Sequence, residues 1–205
     1  MTPAYAPAYD GSTVDGPAYV EVTGLAHGAP GWLDTLVSAW SAYGLAFFAL
    51  LMAAAWWRAR RAGTPTVVTA LAVPLITVLA FGVDSLLKLV VREDRPCRSL
   101  HLPTLEACPA PGDWSFPSNH AALAAAAAVA LLFVSRRLGA VALAAAVLMA
   151  ASRVWVGAHY PHDALAGCLV GAAVAAAAAR AVRRRQGALA DRLKRGPLRP
   201  LLATA

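Results

Sequence analysis

The chain has 205 residues, of which 59% are hydrophobic and only 14% charged, and its mean hydropathy is positive. A soluble domain carries charged residues at about a quarter of its positions, so the composition excludes an ordinary soluble fold and leaves room for one membrane bundle of about five or six spans, each of roughly 20 residues. The formal net charge of +7 does not carry a nucleic-acid reading, because most Arg and Lys lie in short clusters beside apolar segments, the distribution that orients spans in a bilayer.

The first thirty residues have neither a basic leader region nor a long apolar run, so no cleavable signal peptide is expected and the spans themselves direct insertion. Segment 17–32, with Tyr19, Val20, Val22 and Leu25, reads either as a short amphipathic helix on the outer surface or as a loosely ordered terminus. Spans are expected over 36–57, closed by Arg58, Arg60 and Arg61; over 67–91, with Asp84 and Lys88 in its last third; over 118–134, followed by Arg136 and Arg137; over 140–156; and over 163–182, which runs into Arg183, Arg184, Arg185 and a tail with Arg192, Lys194, Arg195 and Arg199. Five spans with the basic clusters in the cytoplasm put the N-terminus outside and the C-terminus inside. The expected fold is an all-α polytopic bundle over 35–182, preceded by an outer segment 1–34 and followed by a basic cytoplasmic tail 183–205. Gly167 and Gly171 allow a close helix approach; packing within the bundle is the preferred reading, and a homodimer stays open.

This topology brings three polar clusters, distant in sequence, to the outer ends of spans. The first, KLVVREDRP, carries Lys88 and Arg95; the second, FPSNHA, carries Ser118, Asn119 and His120; the third, SRVWVGAHYPHD, carries Arg153, His159 and Asp163. Ionisable residues at membrane depth are costly and are functional candidates by default. Here cations outnumber acids, and arginine forks with a lysine point charge fit a phosphate. Ser118 is expected to cap the third span, its hydroxyl and the free N–H groups of Asn119 and His120 facing the same anion. Asp163 follows His159 by four positions, a spacing at which a carboxylate can orient an imidazole. These residue types point to phosphoryl transfer with His159 as nucleophile, Asp163 as its orienting acid and His120 as the general acid for the leaving oxygen.

Together, K-x6-R-P at Lys88 to Pro96, PSNH at Pro117 to His120 and SR-x5-H-x3-D at Ser152 to Asp163 resemble the three signatures of the type 2 phosphatidic acid phosphatase superfamily. Asn119 stands where many members have glycine; it keeps the backbone N–H, while its side chain is expected to narrow the pocket or contact the substrate. The resemblance implies a helical bundle, a metal-independent histidine phosphatase site without a cofactor, and a lipid phosphate or diphosphate as substrate in the cell membrane. Within the superfamily the chain is most similar to bacterial undecaprenyl-diphosphate phosphatases of the bacitracin-resistance type, which would make the substrate a C55 polyprenyl diphosphate hydrolysed on the extracytoplasmic face.

Phosphatidic acid and phosphatidylglycerol phosphate present the same phosphoryl group and remain alternatives, as do two other classes, a vanadate-dependent haloperoxidase and a non-catalytic phosphate-binding membrane protein. Asp84, four residues before Lys88, is expected to hold or neutralise that lysine. Arg92, Arg98, His101 and His162 read either as an extension of the cationic mouth or as solvated loop residues. Cys97 and Cys108 bracket a short outer loop, where a disulfide and free thiols are both open. Cys168 reads as a packing residue.

Overall fold

The structure, a computed structural model, describes residues 8–196; residues 1–7 of the outer segment and 197–205 of the basic tail, including Arg199, lie outside the described residues. Eight helices follow one another: α1 (Ser12–His27), α2 (Gly31–Tyr43), α3 (Leu45–Ala59), α4 (Thr64–Val91), α5 (Pro96–Ser99), α6 (Asn119–Leu132), α7 (Arg136–Trp155) and α8 (Pro161–Arg195). The described residues are all-helical apart from loops, as the composition leads one to expect.

Helix α6 forms the middle of the bundle. Ala121, Ala122, Ala124 to Ala128, Ala130 and Leu131 are all buried, with α4, α7 and α8 packed around them. A helix of alanines has high intrinsic propensity and a thin side-chain sleeve, so its neighbours come close. Gly167 and Gly171 of α8 carry this furthest: a Cβ at Gly167 would lie 2.4 Å from the Ser118 carbonyl oxygen, and one at Gly171 would lie 2.1 Å from that of Ala122. Both glycines therefore face α6, inside the bundle.

Length and composition qualify α4, α7 and α8 as membrane spans, and α2 with α3 as a fourth. The expected straight span over 36–57 is instead bent by 55° between α2 and α3. Gly44 sits at the bend, where a Cβ would meet the Trp40 carbonyl oxygen at 2.4 Å and Met149 Cε at 2.7 Å, so α7 crowds the corner. The expected count of five spans includes α6, whose 14 residues are fewer than the roughly 20 needed to cross hydrocarbon unaided. Helix α8 runs well past the expected end at 182, because Ala, Arg and Leu continue to favour helix until Gly196 closes it.

The N-terminal segment forms more than a loose surface helix. Helix α1 starts before residue 17, accommodates Pro17 beside a break in helical geometry at Asp15 (φ −145°), and packs on α7 and α8. Tyr19 is its anchor: fully buried, it donates a hydrogen bond to the Gly157 carbonyl at 3.0 Å and its ring lies 5.4 Å from that of Tyr160.

Candidate active site

The end of α4, the start of α6, the end of α7 and the start of α8 meet at one end of the bundle and supply all three clusters. His159 lies in the short turn between α7 and α8, only 2% exposed. Two hydrogen bonds bring the turn back onto α7, with the N–H groups of Ala158 and His159 both donating to the Arg153 carbonyl at 3.1 and 3.2 Å. Gly157 makes the reversal with φ +81° and has Thr104 packed where a Cβ would be, which leaves glycine as the residue that fits.

Around the imidazole the partners fix the tautomer. Arg95 Nη1 lies 2.9 Å from His159 Nε2, and a guanidinium can only donate, so Nε2 presents its lone pair and the ring proton sits on Nδ1. On the other side, Nδ1 is 3.4 Å from Asp163 Oδ2 and 3.4 Å from Ser115 Oγ. The Asp163 oxygen is itself held by Ser115 Oγ at 2.5 Å and by the Tyr160 N–H at 2.9 Å. Burial holds the His159 pKa well below the ordinary histidine value; the charges of Arg95 and Lys88 act in the same direction, against the pull of Asp163. The ring is thus neutral, oriented, and directs a nitrogen lone pair at a cation.

The cations are buried. Arg95 is held from several sides: Nε donates to the Asp113 carbonyl at 3.2 Å, Nη2 pairs with Asp113 Oδ1 at 2.8 Å, and Nη1 also donates to the Ala158 carbonyl at 3.0 Å, which with His159 makes four bonds from a group with five N–H donors. Lys88 Nζ donates to the carbonyls of Trp114 and Ser115 at 2.7 and 3.2 Å. It does so past the end of its helix, and this changes the expectation for Asp84. That residue is fully buried and, among the described residues, both its carboxylate oxygens lack a hydrogen-bond partner, so it acts on the lysine through charge and does not hold it.

Arg153 forms a second, adjoining lobe. Its fork grips Glu106 through Nη1 to Oε2 at 2.7 Å and Nη2 to Oε1 at 3.0 Å, while Nη1 also reaches Ser41 Oγ at 2.5 Å. A carboxylate held bidentately occupies the face of the fork that fits a phosphoryl group. His120, Glu106 and Arg153 share a cavity of about 440 Å³ with Ser38, Ala42 and Val156 among its walls, and Arg153, Glu106, Arg95 and Lys88 are all near enough to act electrostatically on His120. Ser118 starts α6 as expected, but its side chain does not cap the helix. Its N–H bonds the Asp163 carbonyl at 3.0 Å. Ser118 Oγ, Asn119 Oδ1 and Arg153 Nε are buried without a hydrogen-bond partner among the described residues and can serve a ligand's oxygens or hydroxyls.

Of the secondary candidates, Arg92 is exposed and bonds the Leu89 carbonyl at 3.0 Å, Arg98 turns to the Pro109 carbonyl and Asp94, and His101 is exposed. The backbone N–H groups of Arg92 and Arg98 donate to the carbonyls of Lys88 and Arg95 at 3.1 and 2.8 Å, but among the described residues neither side chain bonds the site side chains of the clusters. Cys97 and Cys108 are joined as a disulfide at the base of the loop that carries Glu106. Sequence reasoning missed Ser115, Glu106 and Asp113. Ser115 has no positional signal of its own; Glu106, a lone acid between Leu105 and Ala107 in a loop facing surplus cations, had a weak one.

A family profile described as the PAP2 superfamily matches residues 69–187, more than half of the chain and all three clusters. An undecaprenyl-diphosphatase of Sulfolobus acidocaldarius is 38% identical over 95 residues, covering 46% of each protein, so the match spans less than half of that relative. Undecaprenyl-diphosphatase BcrC of Bacillus subtilis is 31% identical over 138 residues, 67% of this chain and 69% of that one. The crystal structure of Aquifex aeolicus LpxE shares the fold, with a TM-score of 0.58 and 22% identity over 88% of this chain and 99% of the other. With the clusters meeting at one end of a helical bundle of that fold, the chain belongs to the PAP2 superfamily.

Proposed function

We propose that the chain is a multi-pass membrane lipid phosphatase that removes the terminal phosphate of a polyprenyl diphosphate, undecaprenyl diphosphate being the substrate favoured by the two named relatives. One observation carries the catalytic reading: the neutral His159 directs Nε2 at Arg95 Nη1 from 2.9 Å, with Asp163 and Ser115 behind Nδ1. In the proposed reaction Arg95, Arg153 and Lys88, with Ser118 and the N–H groups of Asn119 and His120, bind the phosphoryl oxygens. His159 Nε2 attacks phosphorus, the bond to the bridging oxygen breaks, and His120 gives that oxygen its proton. Asp163 stabilises the charge that develops on the ring. Water then attacks the phosphohistidine with His120 taking its proton, the P–N bond breaks, and phosphate leaves. Every proton has a protein donor or acceptor, so the scheme is metal-independent and needs no cofactor.

The arrangement proposed for the chain keeps the outer segment 1–34, the bundle 35–182 and the basic tail 183–205, with the site on the extracytoplasmic face. Purified protein in detergent with excess chelator should release phosphate from C55 diphosphate faster than from phosphatidic acid, and His159→Ala should release none. Preference for phosphatidic acid would replace the substrate assignment, whereas near-parental turnover by His159→Ala would remove the phosphohistidine.

A further inference from the structure

His162 stands three residues from the nucleophile, yet it faces away from the cations and into a pocket of acids. Its Nδ1 lies 2.7 Å from Asp15 Oδ1, and its backbone N–H donates to the other oxygen of the same carboxylate at 2.7 Å. The opposite ring nitrogen, Nε2, lies 3.0 and 3.2 Å from the two oxygens of Glu93 and 3.4 Å from Asp163 Oδ1. The ring stacks on Tyr160 and on Phe116, with centroids 5.4 and 5.9 Å away. Asp15 comes from α1, Glu93 from the segment after α4, and Asp163 from α8 itself; these are the charged groups that face the imidazole.

A neutral imidazole has one N–H. With carboxylate oxygens at both nitrogens, the neutral form would set a lone pair against an oxygen, whereas the imidazolium donates at both ends. Glu93 is 1% exposed and Asp163 fully buried, and two buried carboxylates this close need a cation between them. Asp163 Oδ1 has no hydrogen bond of ordinary geometry, so the nearby Nε2 is its closest source of positive charge. Gly11 is part of the same construction: a Cβ there would overlap the Glu93 carboxylate at 2.2 Å, and the backbone of Tyr9 pairs with that of Arg92 and Asp94 at 3.1 and 2.9 Å. The N-terminal segment is therefore closed over the acids rather than laid beside them.

We propose that His162 is a positioning residue that acts as a permanent imidazolium, balancing Asp163 from behind while Asp163 orients His159, and that α1, through Asp15, holds it there. The inference rests on the phosphohistidine reading for its kinetic consequence but not for the charge state. Removing the positive charge leaves Asp163 less balanced, so the negative potential at His159 grows, the imidazolium of His159 is favoured, and less neutral nucleophile remains at a given pH.

The test has a substrate-free arm and a kinetic arm. In the first, the imidazole nitrogens of ¹⁵N-histidine-labelled protein in micelles are followed against pH. His162 should show both nitrogens protonated at pH 7 and above, and Asp15→Asn should bring its titration to lower pH. In the second, His162→Gln should lower kcat about tenfold or more, the scale on which loss of an outer partner behind a working group acts. KM should stay within about twofold, since no substrate contact is lost, and the acid limb of kcat/KM should move to higher pH. Asp15→Asn combined with His162→Gln should be no worse than His162→Gln alone. A neutral His162 at pH 7 in the parent protein overturns the proposal even where the variant fails to fold. So does a folded His162→Gln protein with parental kcat and an unmoved acid limb. Glu93, His162 and Asp163 also have ligand atoms within 4.8 Å of one another, so stoichiometric zinc that displaces the Nε2 proton and is required for turnover would overturn it as well. If the parent hydrolyses no polyprenyl diphosphate, the functional reading fails while the first arm still reports on His162.

Discussion

In the proposed reaction two demands conflict at His159, and the residues around it show how the conflict can be resolved. A nucleophile must be neutral, yet the phosphoryl group it attacks must be held by cations and the charge it acquires must be balanced by an acid. Arg95 meets the first demand by spending its fork on protein: three acceptors besides the imidazole, at Asp113 and Ala158, hold the guanidinium at His159 Nε2. A lysine has no second edge with which to reproduce this. Asp163 meets the other demand through an oxygen already fixed by Ser115 and Tyr160, so orienting the ring costs little further entropy. The pH dependence follows from the balance. In the proposed mechanism His159 works when neutral, so activity should be present above its pKa and be lost as pH falls through it; burial sets that value well below the ordinary 6.5. The acid limb of kcat/KM, which reports the free enzyme, should therefore lie below pH 6.5, with the substrate's own ionisation measured separately. A limb at or above 6.5 that persists in His120→Ala would show that burial does not control the nucleophile.

Between helices, the close seam of α6 and α8 keeps the site's parts in register, because it carries Ser118 and Asn119 on one side and Asp163 on the other. The seam ties them directly through the Ser118 N–H to the Asp163 carbonyl. Adding one methyl at Gly171 would drive a Cβ to 2.1 Å from a backbone oxygen, with the carbonyl carbon and Cα of Ala122 at 2.9 and 3.0 Å behind it. No flexible side chain can yield there, so Gly171→Ala should destabilise the bundle by about 1–3 kcal/mol, the usual range for overpacking. Gly187, in the same helix with nothing within 4 Å of a built Cβ, is the control: Gly187→Ala should hold or raise stability by up to about 1 kcal/mol. Thermal unfolding of both proteins in one detergent gives the comparison, and equal midpoints would mean that the seam relaxes. The small-xxx-small spacing made this contact legible in the sequence, as the order of apolar segments made the bundle legible. What could not be read was set by loops. Lys88 reaches the carbonyls of Trp114 and Ser115 instead of Asp84, Arg153 grips Glu106, and His162 turns to Asp15 across 147 positions of sequence. None of these pairings leaves a periodic trace, because a loop's path is decided by what it packs on. The bend at Gly44 escaped for a related reason: glycine in an apolar run signals tolerance of a close neighbour, and only Met149 of α7 identifies that neighbour.

Charge divides the molecule end from end. The active-site cluster and most acids gather where α4 and α7 finish and α6 and α8 begin. Most of the arginines gather at the other end: Arg58, Arg60 and Arg61 at the end of α3 and just after it, Arg136 and Arg137 at the start of α7, and Arg183 to Arg185 along the second half of α8. Packing ties this basic end together. Thr69 of α4 donates to Gln186 of α8 at 3.4 Å, and Arg180 and Arg183 lie over the Phe133 ring at 5.8 and 5.9 Å. Basic segments flanking spans are retained on the cytoplasmic side, which would leave the proposed catalytic end facing outward, toward the headgroup of the proposed substrate once it has crossed the bilayer. Cysteine labelling in intact cells tests this orientation directly. In a Cys168→Ala background, Ala110→Cys, exposed in the loop between α5 and α6, should react with a membrane-impermeant maleimide added outside. Ala188→Cys, exposed on the distal part of α8, should react only after the membrane is permeabilised. The opposite pattern would place His159 in the cytoplasm and make the lipid diphosphate reach it from the inner leaflet; the chemistry of the site would stand, but its substrate would have to be one that the inner leaflet holds.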